Sequence, residues 1–476
     1  MPAIKGDPLD PSVRKLIAIL VVGVLAPLLD TTIVNVALHT LVDELKTTVS
    51  TVQWVGTGYL LAMGMAIPLA AWTATRLGDK RAWLFALSLF LVSSLFAGLA
   101  WNIGSLIAFR VVQGVSSGLM IPLLQTLLVQ AAGGKQIGRL MAAISLPAVV
   151  APILGPVLGG LIVGYADWRW IFLINVPICL VGLVVAWRGL KATPRREGSR
   201  LDMLGLLLLS PGLAAVLYAF SRFSTQHGMD VTTLVPLVVG VVLLAAFVVH
   251  ALRTSGEPII DVRLFRVGSF SASAVLLFLS GLSLFGGTLL VPLYLQQARH
   301  LSALEAGLVL VPQGIGALLA RRTAGRLSDR IGARPLVLVG ILLTALPTIG
   351  FSQVDQHTNI VFIGACLLVF GCGVSSVSIP VMSVAYKGLS RAQIPHASGT
   401  TRILIQVGGS FGTSVIALVL SRELATNPGA TDTAFSGTFW WAAGFALIAL
   451  VPALLLPQQR REAPAKAGAS SAEVGS

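Results

Sequence analysis

Apolar stretches of about 20 residues follow one another along nearly the whole chain, separated by short polar or Pro-, Gly- and Asn-containing breaks. A helix rising 1.5 Å per residue needs about that length to cross a hydrocarbon core of roughly 30 Å. Reading the runs between breaks predicts fourteen membrane-spanning helices. They lie near 16–38, 52–74, 82–100, 104–129, 138–164, 170–188, 203–221, 232–252, 269–294, 303–322, 335–352, 359–385, 397–421 and 436–457. Lipid offers an exposed backbone no hydrogen bonds, so helices are the expected form. An even number of crossings puts both termini on one side.

Composition sharpens the class. The chain has 476 residues, of which 55% are hydrophobic and 11% charged, with a mean hydropathy of +0.87. Soluble domains carry about 25% charged residues, so the expected fold class is an all-α polytopic membrane protein. The net charge of +14 would suggest nucleic acid in a soluble protein. Here it collects in loops, so the expected partner is the lipid bilayer and not nucleic acid. If the N-terminus is cytoplasmic, five of the 33 Lys and Arg fall outside: Lys46, Arg169, Arg222, Arg299 and Arg422. Two, Arg110 and Arg402, lie within spans, and the rest face the cytoplasm. One miscounted helix would invert every later loop and destroy this asymmetry, so both termini are expected inside. The first apolar run shows no small-residue cleavage site. Cys179, Cys366 and Cys372 all fall in apolar runs and read as packing residues.

Two stretches resemble each other, "TRLGDKRAWL" at 75–84 and "DRIGARPLVL" at 329–338. Each follows an even-numbered span. That spacing suits two similar halves of a transporter. The expected organisation is a six-helix bundle over 1–190, a linker with two inserted helices over 191–265 and a second six-helix bundle over 266–457. A disordered cytoplasmic tail over 458–476 completes it. The linker "RGLKATPRREGSR" (188–200) is basic and Pro-containing.

In this order the motifs resemble the major facilitator superfamily, and within it the fourteen-span drug:proton antiporter branch. "LDTTIVNVAL" (29–38) resembles the first-helix motif and "LIAFRVVQG" (106–114) the span 4 motif. "APILGPVLGG" (151–160) resembles the antiporter motif, and "WRWIFLINVP" (168–177) the link into span 6. "RLGDKRAWL" and "GRLSDRIGARP" resemble the loop motifs of the two halves. The resemblance implies two six-helix bundles plus two inserted helices, alternating access and protons as the coupling ion, with no cofactor.

Asp30 is the carboxylate deep in a span. An intramembrane acid is a functional candidate by default. Desolvation works against its charged form, which makes proton exchange its expected chemistry. The alternative is a buried Asp that only fixes packing. Asp30 lies about 12 Å and Arg110 about 9 Å below the outer surface at 1.5 Å per residue, so the two can pair. In the family, the span 4 arginine is associated with proton coupling. Gly155, Pro156, Gly159 and Gly160 form the antiporter motif, where small residues and a proline allow close packing and a pivot.

The gating loops carry Gly78, Asp79, Lys80 and Arg81 in one half and Gly325, Asp329, Arg330 and Gly332 in the other. The first departs from the family pattern: Thr75 stands at the usual acidic position, which makes Asp329 the better latch. Ordinary loop charge is the alternative. Arg402 either snorkels to the inner surface or acts in function. Arg321 and Arg322 are expected near the inner interface. His39 reads as an interfacial residue. Asn35, Tyr59, Gln113, Gln125, Asn175, Gln313 and Gln406 are polar candidates for a substrate cavity or for interhelical hydrogen bonds.

No nucleotide-binding loop is present, so the energy source is an ion gradient or the substrate itself. The reading is a proton-coupled exporter of amphipathic small molecules in the cytoplasmic membrane. Its rivals are a dedicated exporter of one metabolite on the same fold and a membrane sensor or scaffold. An enzyme is disfavoured, because Arg110 is a poor acid or base to complement Asp30. Whether a periplasmic adaptor protein joins the exporter is not written in the sequence.

Overall fold

The computed structural model describes residues 10–456 except 132–136, 192–200, 226–229, 255, 302, 356, 391 and 427–429. The tail expected over 458–476 lies outside the described residues, as do the side chains of Asn35, His39, Pro156, Arg322, Asp329 and Arg330.

Apolar runs become helices because capping residues open them. Asp10 accepts from the Ser12 amide at 2.8 Å and Pro11 takes the first helical position, where its missing N–H costs nothing. This starts α1 (Pro11–Glu44). Thr48 caps α2 (Val49–Ala66) by accepting from Thr51 at 3.2 Å. At Pro68 the chain bends by 57° into α3 (Leu69–Leu77). There follow α4 (Asp79–Gly98), α5 (Ile103–Ala131), α6 (Ile137–Tyr165), the single turn α7 (Trp170–Leu173) and α8 (Asn175–Gly189). Next come α9 (Met203–Thr225) and α10 (Val231–Arg253), which fall where the inserted pair was expected.

The second half holds α11 (Gly268–Leu293), α12 (Ala303–Val309), α13 (Val311–Ile331), α14 (Ala333–Phe351), α15 (Ile360–Tyr386), α16 (Ile394–Thr426), α17 (Thr431–Ile448) and α18 (Leu450–Ala453). Asn359 caps α15 by accepting from Val361 at 2.8 Å. Among the described residues, eleven helices are long and apolar enough to cross a membrane, or twelve with α2 and α3 taken as one bent span.

The two similar loops fold alike. Gly78 joins α3 to α4 with φ 78° and ψ 152°, and Gly332 joins α13 to α14 with φ 89° and ψ 167°. This backbone region is nearly closed to residues with a Cβ. The repeat in sequence is therefore a repeat in shape.

The end of the molecule bearing Asp10, Gly78 and Gly332 is termed basal here, and the opposite end apical. At the basal end one apolar cluster joins both halves. Val13, Val129, Ile137, Leu140 and Met141 pack with Phe270, Ala324, Val337, Tyr386, Ile394 and Ala453. At the apical end the clusters stay apart. One is built from Ile33, Leu41, Val55, Leu106 and Trp168, the other from Leu290, Tyr294, Leu367, Phe435 and Phe439.

The inserted α9 lies against both halves. Ser210 donates to the Met65 carbonyl of α2 at 2.7 Å, and Ser414 of α16 donates to the Phe220 carbonyl at 2.5 Å. Trp54 stacks on Tyr218 with ring centroids 6.1 Å apart. On the other flank, α6 packs along α13 and α15.

Candidate functional site

Asp30 sits mid-way along α1, enclosed by α4, α5 and α8, with its surface wholly buried. Its Oδ2 accepts from Nη1 of Arg110, which is also buried. The two residues expected at similar depth thus form a direct ion pair. Around them is a closed set of donors. Asp30 Oδ1 accepts from Asn175 Nδ2 at 3.1 Å and from Gln113 Nε2 at 3.3 Å. Gln113 Oε1 accepts from Arg110 Nη1 at 2.7 Å, and Arg110 Nε donates to the Val55 carbonyl at 3.1 Å. Ser94 accepts from Gln113 at 3.0 Å and from Asn175 at 3.1 Å, and donates to the Phe172 carbonyl at 2.9 Å.

Local structure makes this possible. Gln113 and Arg110 share one face of α5, three residues apart. The interruption between α7 and α8 at Ile174 sets Asn175 at the head of α8. The Arg110 guanidinium lies 4.1 Å from the Tyr59 ring centroid and 5.7 Å from that of Phe172. Such faces attract a cation and exclude water. Every neighbour bonded to the carboxylate donates, so a proton arriving on Asp30 must displace one of them. Asn175 Oδ1 is buried and has no hydrogen-bond partner among the described residues. A turned Asn175 amide would offer an acceptor to a protonated Asp30.

Several polar candidates have other duties. Tyr59 is buried, with its hydroxyl donated to Ser117 at 2.8 Å, and so covers Arg110 instead of lining open space. Gln113 belongs to the Asp30 network. Gln125 accepts from the Tyr386 hydroxyl at 3.0 Å and so links the halves near the basal end. Gln313 lines a separate cleft of the second half with Ser283, Thr348, Phe370 and Phe439, a cavity of about 20 Å³ and room for about one water. Gln406 and Arg402 are partly exposed residues of α16, and neither has a hydrogen bond or ion pair among the described residues. Arg402 lies eight residues after Ile394, the first residue of α16. Sequence reasoning missed Ser94 altogether.

In the antiporter motif, Gly155 meets α1 so closely that a Cβ would lie 1.9 Å from Thr32 Oγ1. Thr32 also donates to the Ala151 carbonyl at 3.2 Å. Gly159 is buried, while Gly160 is exposed with nothing near it. In the first gating loop, Asp79 opens α4, where its charge favours the helix N-terminus. Lys80 Nζ donates to the Trp187 carbonyl at 2.5 Å, and Arg81 is exposed. Thr75 turns its hydroxyl back onto Ala71 and Trp72 of its own helix, at 3.2 and 2.9 Å. In the second, Gly325 is buried. Arg321, expected near the inner interface, is buried and donates to the Ala142 carbonyl across the α6–α13 contact.

The family model described as Major Facilitator Superfamily matches residues 20–413 and 274–475. A multidrug resistance protein B homolog of Mycobacterium tuberculosis (strain ATCC 25618 / H37Rv) is 37% identical over 420 residues, covering 88% of this chain and 78% of that protein. The multidrug export protein EmrB of Haemophilus influenzae is 35% identical over 391 residues, 81% of this chain and 76% of that protein. Among solved structures, the human organic anion transporter MFSD10 (TETRAN) aligns with a TM-score of 0.64 at 19% identity, covering 94% of this chain and 100% of that one. At that identity the likeness shows the fold alone. This multi-pass protein of the cell membrane belongs to the major facilitator superfamily of transporters, and its relatives at 35% and 37% identity carry the names of multidrug export and resistance proteins.

Proposed function

We propose that the chain is a proton-coupled antiporter that exports amphipathic compounds across the cytoplasmic membrane by alternating access. The observation that carries this is the buried Asp30–Arg110 pair. A buried ion pair is costly to build and contributes little net stability, so its presence favours a role in a cycle. The names of the multidrug relatives support the same reading.

On this reading α6, the bent α2–α3 and the broken α12–α13 complete fourteen crossings. The basal end is cytoplasmic, with both termini there. Two bundles over 1–190 and 266–457 rock about the central cleft, and the pair within 191–265 is inserted between them. The shared basal cluster is then the closed inner gate of an outward-facing form, with Arg321 and the two glycine turns in that gate. A proton entering from outside takes Asp30 off Arg110, Asn175 turns its free oxygen to the new acid, and inward release restores the pair. Asp30 and Arg110 carry the coupling, and differential binding of proton and substrate to the two forms drives the exchange.

The test is reconstitution into vesicles with an imposed pH gradient and a panel of amphipathic fluorescent compounds. Gradient-driven accumulation is expected for the wild type and a loss of at least tenfold for Asp30→Asn. Undiminished gradient-driven transport by Asp30→Asn sinks the role assigned to Asp30.

A further inference from the structure

Arg402 is not used by the proton cycle. It lies about two turns inside α16 from its first residue, Ile394. Its neighbours on that helix are committed elsewhere. Ile403 and Val407 pack on the cluster of the inserted pair, and Leu404 and Ile405 on the basal cluster. Arg402 and Gln406, one turn apart, share the remaining face. Gly399 on that side lies against the Ile67 carbonyl at the α2–α3 bend, 3.8 Å from its Cβ position. The face is therefore turned toward the α2–α3 bend.

The charge balance between this face and the Asp30 network is uneven. Asp30 is matched by Arg110 and covered by Tyr59, so it offers nothing to a ligand. Arg402 has no carboxylate partner and no hydrogen-bond acceptor among the described residues, although part of its surface remains open to solvent. An unmatched guanidinium at membrane depth is expensive, and it is a fork shaped for planar anions. Gln406 adds an amide beside it.

We propose that Arg402, with Gln406, binds an anionic group (carboxylate, sulfonate or phosphate) on an amphipathic substrate, so that the transported class is amphipathic anions and zwitterions in preference to lipophilic cations. The cleft's uncompensated positive charge repels the latter. The inference rests on the transporter reading and names its substrate class.

The test measures binding to purified full-length protein in detergent with three fluorescent probes. They are dansyl-phenylalanine, its methyl ester, and a dansyl amide carrying a trimethylammonium group. The wild type is expected to bind the carboxylate about tenfold more tightly than the ester, the scale of one charge-assisted contact. Arg402→Gln should erase that ratio, and retained ester binding together with an unshifted thermal unfolding midpoint reports an intact fold. Arg402→Lys should keep part of it. Equal wild-type binding of acid and ester, preference for the cation, no binding of the carboxylate, or an unchanged ratio in Arg402→Gln would each overturn the proposal. The same probes in vesicles separate the two readings. Gradient-driven transport without acid preference removes the anion site and keeps the antiporter. Arg402-dependent acid binding without gradient-driven transport does the reverse.

Discussion

A carboxylate can escape burial by taking up a proton, whereas a guanidinium keeps its charge. The Asp30–Arg110 pair therefore should not respond symmetrically to loss of either member. Asp30→Leu strands a permanent cation and is expected to cost about 3–5 kcal/mol. Arg110→Met leaves an acid that can neutralise itself and should cost clearly less. Thermal unfolding of the purified variants in one detergent checks the order, and a reversed order would contradict this account of the pair. The pair was legible in the sequence because charges in apolar runs stand out and helix rise converts position into depth. Its supporting partners were not. Ser93 and Ser94 are adjacent and chemically identical, yet Ser93 bonds back to Phe90 of its own helix while Ser94 reaches Phe172, Gln113 and Asn175. Only the rotation of α4 in the bundle separates those fates.

Fourteen spans were expected; among the described residues eleven helices, or twelve with the bent pair, are long and apolar enough to cross a membrane, and the runs say little about shape. The apolar run 52–74 contains the bend at Pro68, and the run 170–188 contains the break at Ile174. Proline alone does not announce such breaks, since Pro27, Pro122 and Pro380 lie inside the unbroken helices α1, α5 and α15. Neighbouring helices decide whether the freed carbonyl is accommodated. The glycine turns are the opposite case, because their backbone angles follow from the residue type. Gly78→Ala and Gly332→Ala are each expected to destabilise by about 1–3 kcal/mol. The midpoint of thermal unfolding for each variant measures this, and an unchanged midpoint would mean the turns relax freely. The Lys80 contact with Trp187 ties the first turn to α8, a tie that spacing along the chain does not reveal.

At the scale of the molecule, the similarity of 75–84 and 329–338 made a repeated turn legible, and with it the expectation of two halves. Their mutual position was not, because it depends on pairs far apart in sequence. Thr126 and Ser398 are such a pair, with hydroxyls 2.9 Å apart across the basal interface. Replacing both by cysteine, after changing Cys179, Cys366 and Cys372 to serine, should give a disulfide within ordinary reach. Efflux is expected to stop on oxidation and to return on reduction. Full efflux from the oxidised protein would show that these halves need not part there.

The inserted helix α9 has a consequence for where cargo comes from. It is fastened to α2 through Ser210 and Trp54 and to α16 through Ser414, while α6 meets α13 and α15 on the opposite flank. Both seams that would otherwise face the bilayer are thus caulked by protein. On the proposed export reading, a compound dissolved among the acyl chains meets packed helices along both seams among the described residues, and is expected to enter from water at an end. Export should therefore keep pace with a compound's free concentration in the aqueous phase, and a strongly lipid-partitioned compound would be a poor cargo however well it fitted the cleft.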